Sequence, residues 1–396
     1  MNIILVDMEE KWKDFLPLTF TRPISDLRLG ILTIGEKWEK LFNIKVSYLT
    51  KDYLSKKFPV RQTDDNILIN SCIIPDKQLA GSISSLEQGQ YLMNNDVFIA
   101  TRLTRKGIDV ASLTPGENDT VLEYKTEYAR LNYPWDILTL NDSAIDFDLE
   151  LITGNKHSAD LNKTNTVIGD GKLFIEEGAI INCSVINIST GPVYIGKGAE
   201  IMEGSLIRGP LALCEHARIN MGAKIYGATT IGPYSKVGEE ISNSVIQGYS
   251  NKSHEGFLGN SILGEWCNLG ADTNTSNLKN NYAEVKMWNY RQERFIKTGL
   301  QFCGLIMGDH SKAGINTMFN TGTVVGVSSN IFGSGFPRNF IPSFSWGGTS
   351  GFSLYKLEKA HEVADKVMQR RNKQLSETDK QILDQIFDYS MQYRKI

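Results

Sequence analysis

Branched aliphatic side chains recur at every sixth position through the middle of this chain. Ile195, Ile201, Ile207, Leu213, Ile219, Ile225, Ile231 and Val237 stand at eight consecutive beats. The beat returns at Leu263 and Leu269, then at Met307, Ala313, Phe319, Val325 and Ile331. Glycine often follows it, as at Gly196, Gly232, Gly264, Gly308 and Gly326. A helix repeats every 3.6 residues and a lone strand every 2, so six fits neither alone. It fits a triangular coil of short parallel strands, with one side chain per face pointing inward and a tight turn at each corner. The pattern starts near Ile175 and Ile181 and runs to about residue 333.

A chain of 396 residues has room for two or three domains. Residues 1–130 read as an α/β domain. Apolar runs at Ile3–Val6, Val46–Leu49, Ile67–Ile69 and Val97–Ala100 suit buried, mostly parallel strands, and Ile31–Phe42 suits a helix. Residues 131–160 hold a linking helix that opens near Pro134. The coil occupies 161–350, and 351–396 form a helical tail in which Ser376 and Asp379 spell a capping box. The formal net charge of -3 offers no basic excess for nucleic acid or an acidic membrane surface. No apolar stretch approaches a membrane span. The apolar run after Met1 is short and is followed by acidic residues, as expected of a buried strand rather than a signal peptide. The cysteines number five and are widely spaced. They read as reduced thiols of a cytoplasmic protein without a metal framework.

The six-residue beat breaks at 239–262 and at 273–303, and insertions in a solenoid are expected as extruded loops that carry function. The first break and its sequel read GYSNKSHEGFLGNSILGEWCNLGADTNTSN. This segment resembles the acetyl-transfer site of the bifunctional N-acetylglucosamine-1-phosphate uridyltransferase/glucosamine-1-phosphate acetyltransferases. That family carries SK-x-x-H-x-x-Y-x-G, then N-x-G-A-x-T, then an Asn. The resemblance places His254 on the catalytic histidine, Asn268 on the Asn of the second motif and Asn277 on the later Asn. Phe257 stands where the family has Tyr. It implies acetyl-coenzyme A as acyl donor, an amino-sugar 1-phosphate as acceptor, a left-handed parallel β-helix and a homotrimer. An imidazole suits removal of the amine proton during attack on a thioester, and backbone N–H groups of tight turns suit the oxyanion. Arg218, Lys224, Lys236 and Lys252 are the cations available to a sugar phosphate. Ser311, Lys312, Ala313 and Gly314 are the expected wall for the acetyl-coenzyme A arm. His310 lies too far along the chain to be assigned to the same site, and His157, His216 and His361 receive no role.

Near the N-terminus, LPLTFTRP (Leu16–Pro23) resembles the PLT-x-x-x-P portion of the sugar-1-phosphate nucleotidyltransferase motif. The resemblance implies a truncated nucleotidyltransferase-like domain that joins a nucleoside triphosphate to a sugar 1-phosphate with Mg2+. Three departures stand out. The family's glycine loop is replaced by VDMEEKWKDF, which has no glycine and repels phosphate with acidic side chains. Ile24 replaces the motif's lysine. Asn70 stands where a metal-binding aspartate is expected. Arg22, Asp26, Arg28 and Lys37 remain as nucleotide-binding candidates. The whole chain thus reads as a sugar-nucleotide enzyme serving cell-envelope precursors. Two other readings stay open: a thymidylyl-type nucleotidyltransferase with a purely structural coil, and a non-catalytic scaffold that binds nucleotide sugars.

Overall fold

The computed structural model describes residues 1–104, 108–117, 119–154 and 156–394. They divide into two compact units. The first comprises Met1–Phe15, Thr21–Leu27 and Leu32–Tyr133; the second comprises Leu16–Phe20, Arg28–Ile31 and everything from Pro134 onward.

The first unit is built on strands β1 (Asn2–Val6), β2 (Ser47–Leu49), β3 (Asn66–Asn70), β4 (Gln90–Asn94), β5 (Val97–Leu103) and β6 (Thr120–Glu123). Their order is β2-β1-β3-β5-β4-β6. The β2–β1, β1–β3 and β4–β6 pairs are parallel, and β5 runs antiparallel to β3 and β4. Every residue of β1 and β3 is buried, which explains the apolar runs Ile3–Val6 and Ile67–Ile69 within them. Strands β4 and β6 escape the apolar pattern because β4 is half polar and all four residues of β6 are exposed. Three helices belong to this unit: α1 (Glu9–Asp14), α2 (Ile34–Phe42) and α3 (Lys77–Ser84). Thr33 and Glu36 cap α2 reciprocally, and Asn43 ends it at φ 53°, the left-handed conformation that Asn tolerates. The cap starts α2 three residues later than the sequence suggests. The glycine-free loop after β1 is in fact α1.

The second unit is a three-sided parallel β-helix. The first face stacks nine strands from Leu173–Ile175 to Phe340–Ile341, and the second stacks ten from Ile180–Ile181 to Gly351–Leu354. The third stacks six from Thr166–Ile168 to Phe257–Gly259, and Asn274–Thr275 pairs beyond it with Met318–Phe319. One continuous core fills the prism, and the beat residues are its lining: Ile195, Ile201, Ile207, Leu213, Ile219, Ile225, Ile231 and Val237 are at most 2% exposed. Small polar residues pack the corners. Ser205, Ser250 and Ser311 bury their hydroxyls and donate to corner carbonyls of the next coil, which satisfies these buried polar atoms.

The two breaks in the beat have different outcomes. Residues 239–262 are not an extruded loop, contrary to the sequence expectation. The coil continues through Ile241, Ile246, Lys252, Leu258 and Leu263, with each strand in register on its predecessor. Three corners are tighter, before Ile241, Ile246 and Leu263, so the inward positions there step by four or five residues instead of six and the beat is lost while the fold is kept. The second break does extrude. It holds an antiparallel hairpin, Lys286–Asn289 with Arg294–Lys297, whose Trp288 stacks on Phe340 at 4.3 Å.

Helix α4 (Asp136–Thr153) covers part of the first face rather than standing free between units. Ile145 and Leu149 pack with Phe174, Tyr194 and Ala212. Asn141 accepts from Gly30 N and donates to Ala228 O, both at 2.8 Å, and Asp148 accepts from Ile31 N. The tail forms α5 (Leu357–Gln369) and α6 (Glu377–Tyr389), the latter opened by the Ser376–Asp379 capping box. A terminal hairpin, Ser345–Gly348 with Gly351–Leu354, shields the last edge of the second face.

Candidate active site

The corner that carries His254 is set by an unusual core residue. On the second face, Lys252 occupies the inward position next to Val237 and is 1% exposed. Its stem replaces an aliphatic side chain, and its ammonium folds back to the corner, donating to Gly238 O at 3.3 Å and to His254 O. Burial pulls its pKa down to about 8, opposed by Glu239, Glu255 and Asp272. The backbone of His254 is thereby anchored, while its side chain is exposed at the corner between the second and third faces. Sequence reasoning grouped Lys252 with the phosphate cations; the structure turns it into the core.

Three residues further on, Phe257 faces outward on the third face. It shares a row with Lys224 and Glu240. Its ring lies over Gly259: a Cβ at Gly259 would come within 2.4 Å of the ring and 2.6 Å of Asn277 Nδ2. Glycine is needed there for space, and it lets the ring and the Asn277 amide meet on one surface. Asn277 Nδ2 also donates to Asn260 Oδ1 at 2.8 Å, and Phe257 N is held by Asn274 Oδ1 at 2.9 Å. Lys224 reaches Glu239 at 3.8 Å. The third face thus gathers Lys224, Phe257 and Asn277, with His254 at its edge.

The other candidates lie elsewhere. Arg218, Lys236, Asn251, Asn268, Lys312 and Asn330 form the outward row of the second face, so Arg218, Lys236 and Asn268 do not share the face of Lys224 and Phe257. The proposed acyl-donor wall is largely internal. Ser311 and Ala313 are 0% and 3% exposed and cannot face a ligand outside the prism; only Lys312 and Gly314 are half-buried. Lys312 donates to His310 O at 2.7 Å, and burial lowers its pKa to about 8.

The nucleotide-binding candidates are likewise dispersed. Lys37 is fully buried. Arg22 is buried and pairs with Asp26 at 3.7 Å. Arg28 belongs to the second unit, where Gln247 Oε1 accepts from its N at 2.6 Å and Gln247 O from its Nε. The segment Leu16–Phe20 is also part of the second unit, where Phe20 meets Tyr290 and Tyr389 edge-on. The first unit has a cleft of about 560 Å3 instead, lined among others by Glu9, Lys11, Asn70, Asp96 and Arg130. It opens beyond the C-terminal ends of β1 and β3, the usual ligand position of parallel α/β sheets. The sequence signal for it was the strand ends, not the PLT motif. Asn70 is tied on both sides, donating to Phe98 O at 2.9 Å and accepting from Cys72 N at 3.0 Å, which leaves it unsuited to a metal. Among the described residues no three His, Cys, Asp or Glu side chains converge as a metal cluster.

Residues 3–157 match the family model described as sugar nucleotidyl transferase. A bifunctional sugar-1-phosphate nucleotidylyltransferase/acetyltransferase of Sulfurisphaera tokodaii is 30% identical over 257 residues, covering 62% of this chain and 57% of that protein. The chain is similar to bifunctional nucleotidylyltransferase/acetyltransferases. The bifunctional protein GlmU of Methanocaldococcus jannaschii is 29% identical over 273 residues, covering 66% and 59% of the two chains. The matched region spans less than two thirds of the length of either relative. Among solved structures, the polysialic acid O-acetyltransferase OatWY aligns with 48% of this chain and 88% of its own, at 14% identity and a TM-score of 0.27. Among the described residues no helix is long and apolar enough to cross a membrane.

Proposed function

We propose that the β-helix unit transfers an acetyl group from acetyl-coenzyme A to the amine of an amino-sugar 1-phosphate of the glucosamine 1-phosphate type. The amine nitrogen bonds to the thioester carbon while its proton passes to the His254 imidazole. The C–S bond then breaks, and the thiolate leaves as coenzyme A after taking up a proton. Lys224, with Phe257 and Asn277 farther along the same face beyond Glu240, receives the acceptor's phosphate and sugar. Asn268, with Lys312 next to it on the second face, is assigned to the acyl donor. The carrying observation is the exposed His254 whose backbone is fastened by a buried ammonium, inside a segment with the acetyl-transfer motif. A site on one exposed face is incomplete alone. Apolar outward side chains are exposed on that same face, with Leu206 51% and Ile168 46% exposed, which supports closure by neighbouring copies in a homotrimer.

The cleft of the first unit is assigned nucleotidyl transfer: attack of a sugar 1-phosphate on the α-phosphorus of a nucleoside triphosphate, with pyrophosphate leaving. Lys11 and Arg130 are its cations. Magnesium would enter with the triphosphate and offset its charge. The similarity to bifunctional enzymes supports this pairing of activities, and a cytoplasmic setting supplies both donors. The test is thiol release from acetyl-coenzyme A against a panel of sugar phosphates, with pyrophosphate release measured separately. Thiol release that depends on an acceptor amine supports the reading. Absence of thiol release with every amino-sugar phosphate overturns it.

A further inference from the structure

Arg218 and Lys236 stand apart from the third-face arrangement, and two more cations join them. Arg218, Lys236 and Asn251 are consecutive in the outward row of the second face, at the roughly 4.8 Å spacing of neighbouring strands. Arg371, just beyond the end of α5, donates from Nη2 to Asn251 Oδ1 at 3.3 Å. The tail therefore docks onto the same row. Partial burial, and after it the charges of Arg371, Arg218 and Arg370, lower the pKa of Lys236. Arg370 and Arg218 also bear on Arg371. Glu200 compensates part of this charge through its 2.6 Å pair with Arg218. Among the described residues the Lys236 ammonium has neither an ion pair nor a hydrogen bond. All four side chains keep some exposure.

Like charges on neighbouring strands repel, yet here the coil and a tail segment more than a hundred residues later converge to make such a cluster. Four cations less one carboxylate leave about three positive charges, the complement of a diphosphate. We propose that Arg218, Lys236, Arg370 and Arg371 form an anion site for a diphosphate group, which fastens the α5–α6 junction to the second face. The site is independent of the acetyl-transfer reading. The diphosphate is recognised either free or within a nucleotide sugar or coenzyme A.

Hydrogen exchange over residues 368–376 tests it on the full chain, titrated with inorganic pyrophosphate, UDP-N-acetylglucosamine or coenzyme A. Pyrophosphate is expected to slow exchange in that segment. Lys236→Ala, an outward substitution that leaves the core intact, should raise the midpoint at least about tenfold, and Glu200→Gln should lower it several-fold. Slowed exchange with a carrier as well identifies the source of the diphosphate and supports the site. Pyrophosphate bound only in the cleft of the other unit would leave this segment unchanged. No protection in the wild type, an unchanged midpoint in Lys236→Ala, or equal protection by sulfate overturns the proposal.

Discussion

At the scale of single residues, Lys252 is the one that departs most from its surroundings. A lysine in the core column is costly while charged, because burial removes its hydration. Its folded pKa is about 8, below the ordinary lysine value near 10.4. Below pH 8 both folded and unfolded chains carry the proton and the penalty is fully present. Between about pH 8 and 10.4 the folded chain sheds the proton first, so stability rises with pH in that window. Lys252→Met is therefore expected to be more stable than wild type by about 1–3 kcal/mol at pH 7, with the advantage shrinking toward pH 10. Urea unfolding at both pH values checks this. The same variant frees the His254 carbonyl and is expected to lose about tenfold in acetyl transfer, separating stability from activity. His254 stood out in the sequence because its flanking motif is contiguous. The inward turn of Lys252 did not, because the two tightened corners before it, at Ile241 and Ile246, hide which face each residue takes. The scatter of Arg22, Arg28 and Lys37 was equally hidden: three cations close in sequence say nothing about the unit each side chain joins.

At the scale of elements, the corners explain more than the strands. Where the first face turns into the second, His216, Tyr234, Tyr249, Trp266 and His310 all adopt φ between 53° and 61°, a left-handed conformation that costs a side-chain-bearing residue about 1–2 kcal/mol. Their rings stack in a column. Tyr234–Tyr249 are 5.1 Å apart at 3°, Tyr249–Trp266 4.3 Å at 15°, and Trp266–His310 6.4 Å at 10°. Each pair offers about 0.5–1.5 kcal/mol, comparable to the backbone cost, and burial of Trp266 adds more. Trp266→Ala is expected to destabilise the coil by about 3–5 kcal/mol. His216→Gly, at the tilted and exposed end of the column, should change stability by less than about 1 kcal/mol. Thermal unfolding of the two variants decides. A strict six-residue period made the prism itself readable, but these stacked corners carry no period that a sequence reader would count, since their spacing is 18, 15, 17 and 44 residues.

At the scale of the whole molecule, two units are interleaved in sequence. Leu16–Phe20 and Arg28–Ile31 leave the α/β unit to join the coil unit, so a cut at residue 134 is not a clean boundary. The coil lacking these segments would expose the surface that Phe20 covers. Trimer formation through the third face predicts that Leu206→Asp yields a folded monomer in sedimentation, with near-wild-type circular dichroism. A trimer that survives this substitution places the interface elsewhere. The alternation of apolar runs made the first unit's parallel core legible, whereas its cleft was not, because Lys11, Asp96 and Arg130 come together only through strand order.

The acetyl-transfer claim is tested most directly by mass-spectrometric detection of N-acetylated sugar 1-phosphate formed from glucosamine 1-phosphate and acetyl-coenzyme A. The wild type is expected to form it, and His254→Ala to do so about 10^2–10^4-fold more slowly. Equal rates from both proteins would contradict the assignment of His254 as the base.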